Sequence, residues 1–292
     1  MSLPRSDFRF SHRMRVRWSE VDMQKIVFNA HYLMYFDTAM ADYWRALALP
    51  YEAAMQLLGG DIFVKKASVE YHASARYDDR MEVCLRCARI GTSSIVFEGA
   101  IFRDNTLLVT GELVYVFANP ATQTSMPVPK ALRNIFEAYQ AGEPMTVLDM
   151  GDWDLLGART SGLRTHVFVE EQGIDKSLVW DAADATALHA VSCNQLGQPV
   201  ASGRLAQHAP GVGRIGRMAV DRVLRGSRLG RDVLEALIQA SRNRGDHQVM
   251  LHAQCSAKGF YTAFGFMPQG PVFEEAGIAH IEMALALDSE PQ

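Results

Sequence analysis

Asp22 and Asn29 frame the first stretch whose residue types and spacing suit a reaction, VDMQKIVFNAHYLMYF, residues 21–36. Tyr32, Tyr35, Phe36, Ala39, Met40 and Tyr43 recur at helical spacing, which predicts an amphipathic helix over 29–46 with Asn29 as its N-cap. A helix N-terminus gathers free backbone N–H groups and a partial positive charge. Such an end polarises a carbonyl oxygen and holds the oxyanion that forms when the carbonyl is attacked. A carboxylate nearby then serves as nucleophile or as general base for water. The plain alternative is structural. Ser19-Glu20-Val21-Asp22 has capping-box spacing, and Asp is common in turns.

A second stretch is RIGRMAVDRVLRGSRLGRDVLEALI, residues 214–238. A strand, a turn with Gly226 and Gly230, and a helix make a nest of backbone N–H groups that suits a pyrophosphate. Arg225 and Arg228 add charge of the right sign. A glycine-containing turn before a helix is a weak motif alone, and the same residues serve an ordinary strand-to-helix connection. Cys84 and Cys87 form a lone CxxC on a segment that alternates like a strand. Three positions apart on a strand, they fall on opposite faces, and no second CxxC or CxxH completes a zinc site, so they read as structural cysteines.

The elements that must carry these residues fall into two sets. Across the first half, a strand over 8–16 precedes the helix, and strand-like runs follow over 61–71, 80–90, 93–103 and 107–118. Asp78-Asp79, Gly91-Thr92 and Asp104-Asn105 punctuate them. One long helix with antiparallel strands predicts an α+β domain whose sheet wraps the helix. NPATQTSMPVPK (119–130) cannot continue a central strand. A short helix over 131–139 and the linker QAGEPMT lead to a boundary near 145, giving domains 1–145 and 146–292. The second half predicts a helix over 153–169, strands over 187–193, 200–205, 214–220 and 248–253, a helix over 228–243, a short helix over 257–264 and a strictly alternating last strand over 278–287. Mixed strands and crossover helices read as α/β.

With 292 residues, two domains are the natural division at about 100–200 residues each. Hydrophobic content is 48%, charged content 21% and net charge −4, with pI ≈ 6.1. No basic run points to nucleic acid. MSLPRSDFRF lacks the apolar core of a signal peptide, and no apolar run is long enough for a bilayer span. The expectation is a cytoplasmic protein without membrane or nucleic-acid partners.

VRWSEVDMQKIVFNAHYLMYFDTA, residues 63–71, ASARYDD, and the later GELVYVF and MPVPKAL together resemble the hot-dog acyl-CoA thioesterases of the 4-hydroxybenzoyl-CoA thioesterase group, over residues 14–139. The resemblance implies a hot-dog fold with catalytic Asp22, and an Asn29 backbone N–H that polarises the thioester carbonyl. It also implies pairing through the sheets into a homodimer or homotetramer. The family usually has Gly at the position of Lys25, and often His at that of Asn29. In the second half, RGSRLG (225–230) matches an R/Q-x-x-G-x-G/A loop, with Arg228 for the middle glycine. QCSAKGFYTAFGF (254–266) matches an N-x-x-A-x-x-F-Y-x-x-x-G-F block, with Gln254 for Asn. With THVFVEEQGI and VFEEAGIAHIEM, these resemble the GNAT N-acetyltransferases, ElaA-like, over residues 153–287.

That second resemblance implies a pyrophosphate site at Arg225, Gly226, Arg228 and Gly230, and a strand ending in Met218 and Val220 whose backbone pairs with pantetheine. It implies Gln254 in the cofactor-binding block and Tyr261 as the acid that protonates the leaving thiolate. A half-buried aromatic is the ordinary alternative for Tyr261. Glu171 and His252 are both candidate bases. The expected substrates are acyl-CoA and acetyl-CoA, with an unnamed amine as acceptor, no metal and no tightly bound cofactor. A thioesterase whose second domain binds CoA without turnover is the alternative.

Overall fold

In the first unit the periodicities of the chain become a sheet and a helix laid on it. The computed structural model describes residues 3–287, and the chain divides after Met145 into two compact units. The first unit runs β1 (Phe10–Arg15), α1 (His31–Ala46), α2 (Tyr51–Leu58), β2 (Asp61–Tyr71), β3 (Arg80–Ile90), β4 (Ser94–Arg103), β5 (Thr106–Ala118) and α3 (Lys130–Gln140). Its sheet has the order β1-β3-β4-β5-β2, antiparallel throughout. All six apolar residues picked out by the helical spacing are buried on α1.

Two glycines set how closely α1 lies on the sheet. Gly99 and Gly111 are register partners on β4 and β5. A Cβ on Gly99 would come within 2.4 Å of the Phe36 ring, and one on Gly111 within 2.7 Å. Phe36 therefore fills a groove that only glycine leaves open. Burying such a side chain contributes about 1.5–3 kcal/mol. Tyr43 centres an aromatic cluster with Phe10, Phe97, Phe136 and Tyr139.

Two expectations need correction here. The helix starts at His31, and its N-cap is Ala30, already in the right-handed region without a side-chain cap. Asn29 is not the cap, because the chain enters through a turn: the His31 N–H donates to the Phe28 carbonyl and the Tyr32 N–H to the Asn29 carbonyl. Helix α2 has no counterpart among the expected elements. Its eight residues are too short for a periodic signal, although Pro50 before it and left-handed Gly59 after it mark both ends.

The second unit runs β6 (Thr146–Gly151), α4 (Trp153–Arg164), α5 (Lys176–Val179), β7 (Leu188–Asn194), β8 (Pro199–Ala209), β9 (Val212–Val220), α6 (Leu229–Asn243), β10 (Gln248–Gln254), α7 (Lys258–Thr262), β11 (Met267–Glu275) and β12 (Ile278–Ala286). Its sheet order is β11-β12-β10-β9-β8-β7-β6. Neighbours are antiparallel except β9 and β10, which run parallel. Val233, Leu234, Leu237 and Ile238 of α6 pack on one face, with Ala201, Ile215, Leu251 and Met283. Leu156 of α4 packs with Val191 and Cys193.

The two strands absent from the expectation, β6 and β11, are the sheet's two edges. Edge strands lack the burial that writes alternation into a sequence, and β11 carries two prolines and a glycine besides. The helix expected over 153–169 ends at Arg164, and Thr165–Glu171 continues with the wider π spacing. A π turn rotates the faces, so the 3.6-residue period does not mark where the α-helix stops. Among the described residues, no helix is long and apolar enough to cross a membrane.

Candidate active sites

In the first unit a small hairpin leads into the helix, with Asp22 near its tip. The Phe28 N–H donates to the Glu20 carbonyl, Val21 bridges Val27, and the Asp22 N–H donates to the Ile26 carbonyl at 2.9 Å. Asp22 opens the tip: its Oδ1 accepts from the Gln24 N–H at 2.8 Å and its carbonyl from the Lys25 N–H. This is an Asx turn rather than a capping box. Lys25 sits at φ 63°, in the left-handed region. That geometry explains why glycine suits this position, and shows that lysine is accommodated there.

Asn29 follows directly on the hairpin. Among the described residues, the backbone N–H groups of Asn29 and Ala30 have no hydrogen-bond partner. They are the free donors expected at a helix start, so the backbone of Asn29 remains available although its side chain does not cap. The wall is aromatic: Tyr71 donates its hydroxyl to the Asn29 carbonyl at 3.1 Å, and the rings of Tyr32 and Tyr71 meet at 5.6 Å. The Ala75 backbone closes on the hairpin, donating to the Tyr32 hydroxyl and accepting from the Val27 N–H.

Glu20 is the residue that spacing alone missed. It is 2% exposed, accepts from the Tyr35 hydroxyl at 2.9 Å, and takes two contacts from Arg17 at 2.7 Å, one through the backbone N–H and one through the guanidinium. Burial by itself raises its carboxyl pKa, but the Arg17 and Tyr35 bonds outweigh burial and hold it below the ordinary range. The Tyr35 hydroxyl is pushed up, by burial first and by Glu20 second. Glu20 therefore anchors the base of the hairpin to α1. Its partner Tyr35 lies fifteen residues on, a separation that no local motif records.

In the second unit the two parallel strands pair only at Gln248–Val212, Val249–Gly213 and Met250–Arg214. Beyond that point β9 and β10 separate, and the stretch of β9 that holds Met218 and Val220 has one edge unpaired. Arg217, at φ 55°, marks a register shift against β8 in the same stretch. An open strand edge offers backbone groups to an extended, amide-bearing ligand.

The loop after β9 forms the expected nest. Among the described residues, the backbone N–H groups of Gly226, Arg228, Leu229 and Gly230 have no hydrogen-bond partner. Gly226 lies at φ 86° and Arg228 at φ 72°. Arg228 thus adopts the conformation that a glycine would take, as N-cap of α6. A Cβ on Gly230 would approach Val220 to 3.1 Å, so glycine keeps this helix start close to β9.

Arg225 is engaged by a carboxylate. Its guanidinium grips Glu171 in a bidentate pair, Nη1–Oε1 2.6 Å and Nη2–Oε2 2.7 Å, and its Nε contacts the Val220 carbonyl at 3.3 Å. It ties the loop to the π turn that carries Glu171. The same pair holds the Glu171 carboxyl below its ordinary range, which makes it a weaker base. Gln254 donates to Gln172 Oε1 at 3.0 Å.

Tyr261 is 8% exposed and packs against Phe260 and Phe266. Burial pushes its hydroxyl up to about 12. Among the described residues that hydroxyl has no hydrogen-bond partner. Burial likewise raises the thiols of Cys84 and Cys87 to about 12, which keeps both protonated at neutral pH. Among the described residues, no three His, Cys, Asp or Glu side chains come together as a metal-binding group.

Comparison with known proteins follows this division. Residues 16–136 match the Thioesterase-like superfamily, and residues 165–287 match the Acetyltransferase (GNAT) domain. The acyl-CoA thioester hydrolase YbgC of Escherichia coli O6:H1 is 28% identical over 124 residues, 42% of this chain and 92% of YbgC. Protein ElaA of Escherichia coli K12 is 39% identical over 71 residues, 24% of this chain and 46% of ElaA, about half its length. A 1,4-dihydroxy-2-naphthoyl-CoA thioesterase from Synechocystis aligns at 16% identity with a TM-score of 0.40, covering 44% of this chain and 94% of that one. The chain carries a thioesterase-like hot-dog domain followed by a GNAT acetyltransferase domain.

Proposed function

We propose that the protein is bifunctional: its first domain hydrolyses an acyl-CoA thioester, and its second transfers an acyl group, acetyl first, from CoA to an amine. In the first domain the thioester carbonyl sits at the mouth of α1, where the Asn29 backbone N–H polarises it. Asp22 supplies the carboxylate that attacks this carbonyl or activates water. In the second domain the free N–H groups of Gly226, Arg228 and Gly230 hold the pyrophosphate, and β9 around Met218 and Val220 pairs with pantetheine. Gln254 lines the same site, and Tyr261 protonates the departing thiolate.

The observation that supports this reading is that each domain holds unpartnered backbone N–H groups where the family pattern places them, together with a chemically suited side chain: Asp22 in the first, Tyr261 in the second. Backbone donors held in place stabilise charge without reorganising. Edge strand β2, which exposes Phe63 and Val64, favours a homodimer formed through the first domain.

The test is thiol release from a panel of acyl-CoAs, with and without amines. Amine-independent release that Asp22→Asn abolishes supports the first half, and amine-dependent release that Tyr261→Phe depresses supports the second. Tight CoA binding with no amine-dependent turnover makes the second domain a CoA sensor. A single turnover in ¹⁸O-water separates the two roles of Asp22, because only nucleophilic attack leaves the label in its carboxylate.

A further inference from the structure

The face of the second sheet that carries α4 has a polar end. Helix α4 packs on β6, β7, β8 and β9. Further along the sheet, Leu251 and Ala253 of β10 and Ile281 and Met283 of β12 belong to the core under α6. The residues between them, His252 and Glu282, therefore stand on the α4 face, and they are register partners. His252 lies past the last β9–β10 pair, at the mouth of the split.

Four charged or titratable groups surround its imidazole. Nδ1 is 2.9 Å from Glu275 Oε2 and 3.1 Å from Arg214 Nη2, and Nε2 is 3.7 Å from Glu282 Oε2. The ring meets Phe273 edge-on at 4.8 Å, and His280 stacks on the far side of this group, on Phe273 at 6.1 Å. Nδ1 cannot donate to a carboxylate and accept from a guanidinium at once. The carboxylate fixes the proton on Nδ1 and leaves the Nε2 lone pair free, since 3.7 Å is no hydrogen bond. Across β10, on the α6 side, the hydroxyl of Tyr261 has no hydrogen-bond partner among the described residues.

We propose that His252 Nε2 is the base that takes a proton from the acceptor, that Glu275 positions it, and that the acceptor is a primary amine bound as its cation beside Glu282. The proposal rests on the transferase reading of the second domain and supplies its missing base and acceptor class. Two carboxylates, Glu275 and Glu282, against one guanidinium, Arg214, favour a cation over an amine that carries its own carboxylate. Arg217, the other cation on this stretch, is engaged with Asp181 at 2.8 Å.

The ammonium gives one proton to His252. The freed amine attacks the thioester carbonyl from the α4 face, a C–N bond forms and the C–S bond breaks. The leaving thiolate takes its proton from Tyr261 on the α6 face, and the second amine proton restores the phenol. His252 returns its proton to solvent, so amide, free thiol and one proton balance ammonium and thioester.

The test uses the full chain in an Asp22→Asn background, which silences hydrolysis by the first domain. Acetyl-CoA is offered with n-butylamine, 1,4-diaminobutane or glycine, and acetylated product is measured alongside acetyl-CoA binding by calorimetry. The two alkylamines are expected as acceptors and glycine is not. His252→Gln lowers kcat about 100-fold with acetyl-CoA binding unchanged, in line with a lost general base. Glu275→Gln lowers kcat at unchanged amine KM and displaces the acid limb of the pH profile, the signature of a positioning residue. Glu282→Gln raises amine KM about 10-fold, the loss of roughly one charge-assisted contact.

Equal turnover by His252→Gln overturns the base. Preference for glycine, or acetyl-CoA binding with transfer to none of the three amines, overturns the acceptor class. Failure to bind acetyl-CoA is a different result, which overturns the transferase reading itself and this proposal with it.

Discussion

Single residues test both candidate reactions. Asp22→Asn removes the carboxylate and keeps its size, and is expected to cut amine-independent hydrolysis by at least about 100-fold, measured as thiol release under saturating acyl-CoA. Lys25→Gly makes the opposite point. The backbone at 25 is left-handed, a conformation that costs an L-residue but not glycine. The substitution is expected to raise the melting temperature, by about 0.5–1 kcal/mol in stability, and to leave hydrolysis intact; a destabilised variant would show that the lysine side chain itself holds the turn. Tyr261→Phe keeps the buried ring and removes only a hydroxyl without a protein partner. Stability therefore changes little while amine-dependent turnover falls by about 10²-fold or more.

At the scale of elements, the seat of α1 on its sheet depends on two residues without side chains. Gly111→Val drives a branched side chain into the Phe36 ring, and is expected to cost about 1–3 kcal/mol by denaturant unfolding. On the α4 face of the second sheet, Arg164 and Arg204 converge on Asp184, both at 2.8 Å, and Arg204 and Arg217 on Asp181. The Arg204 bond holds the Asp181 carboxyl down at about 2. Burial alone raises Asp184, yet Arg164 and Arg204 outweigh burial and lower it. Because both folded-state values are depressed, the stability they contribute is complete above about pH 4, the ordinary Asp range. It is lost as pH falls toward about 2. Acid unfolding of the second domain, followed by circular dichroism, should move to higher pH in Arg204→Met, which removes the shared partner. The network was invisible in sequence, since its members come from α4, the turn before β7, β8 and β9.

At the scale of the whole molecule, each domain has a core of its own. Division of the chain after Met145 is therefore expected to give two pieces that each unfold cooperatively in calorimetry, with hydrolysis in the first and CoA binding in the second. The first piece alone should run as a dimer by light scattering, and Val64→Lys on the exposed edge strand should shift it toward monomer.

The sequence by itself determined the order of elements wherever one face was buried: β12 lies on the residues its alternation marked, and α1 ends where its stripe ends. It also marked Asp22, Gly226 and Tyr261 as candidates, because turn residues and local blocks leave local signatures. The tertiary structure alone decided what those groups face. It freed the Asn29 N–H while denying Asn29 the cap, tied Arg225 to Glu171 fifty-four residues away, and set His252 between two carboxylates on neighbouring strands. Periodicity records burial against a face, whereas the partner of a charge depends on strands and helices brought together by folding, and no local spacing carries that information.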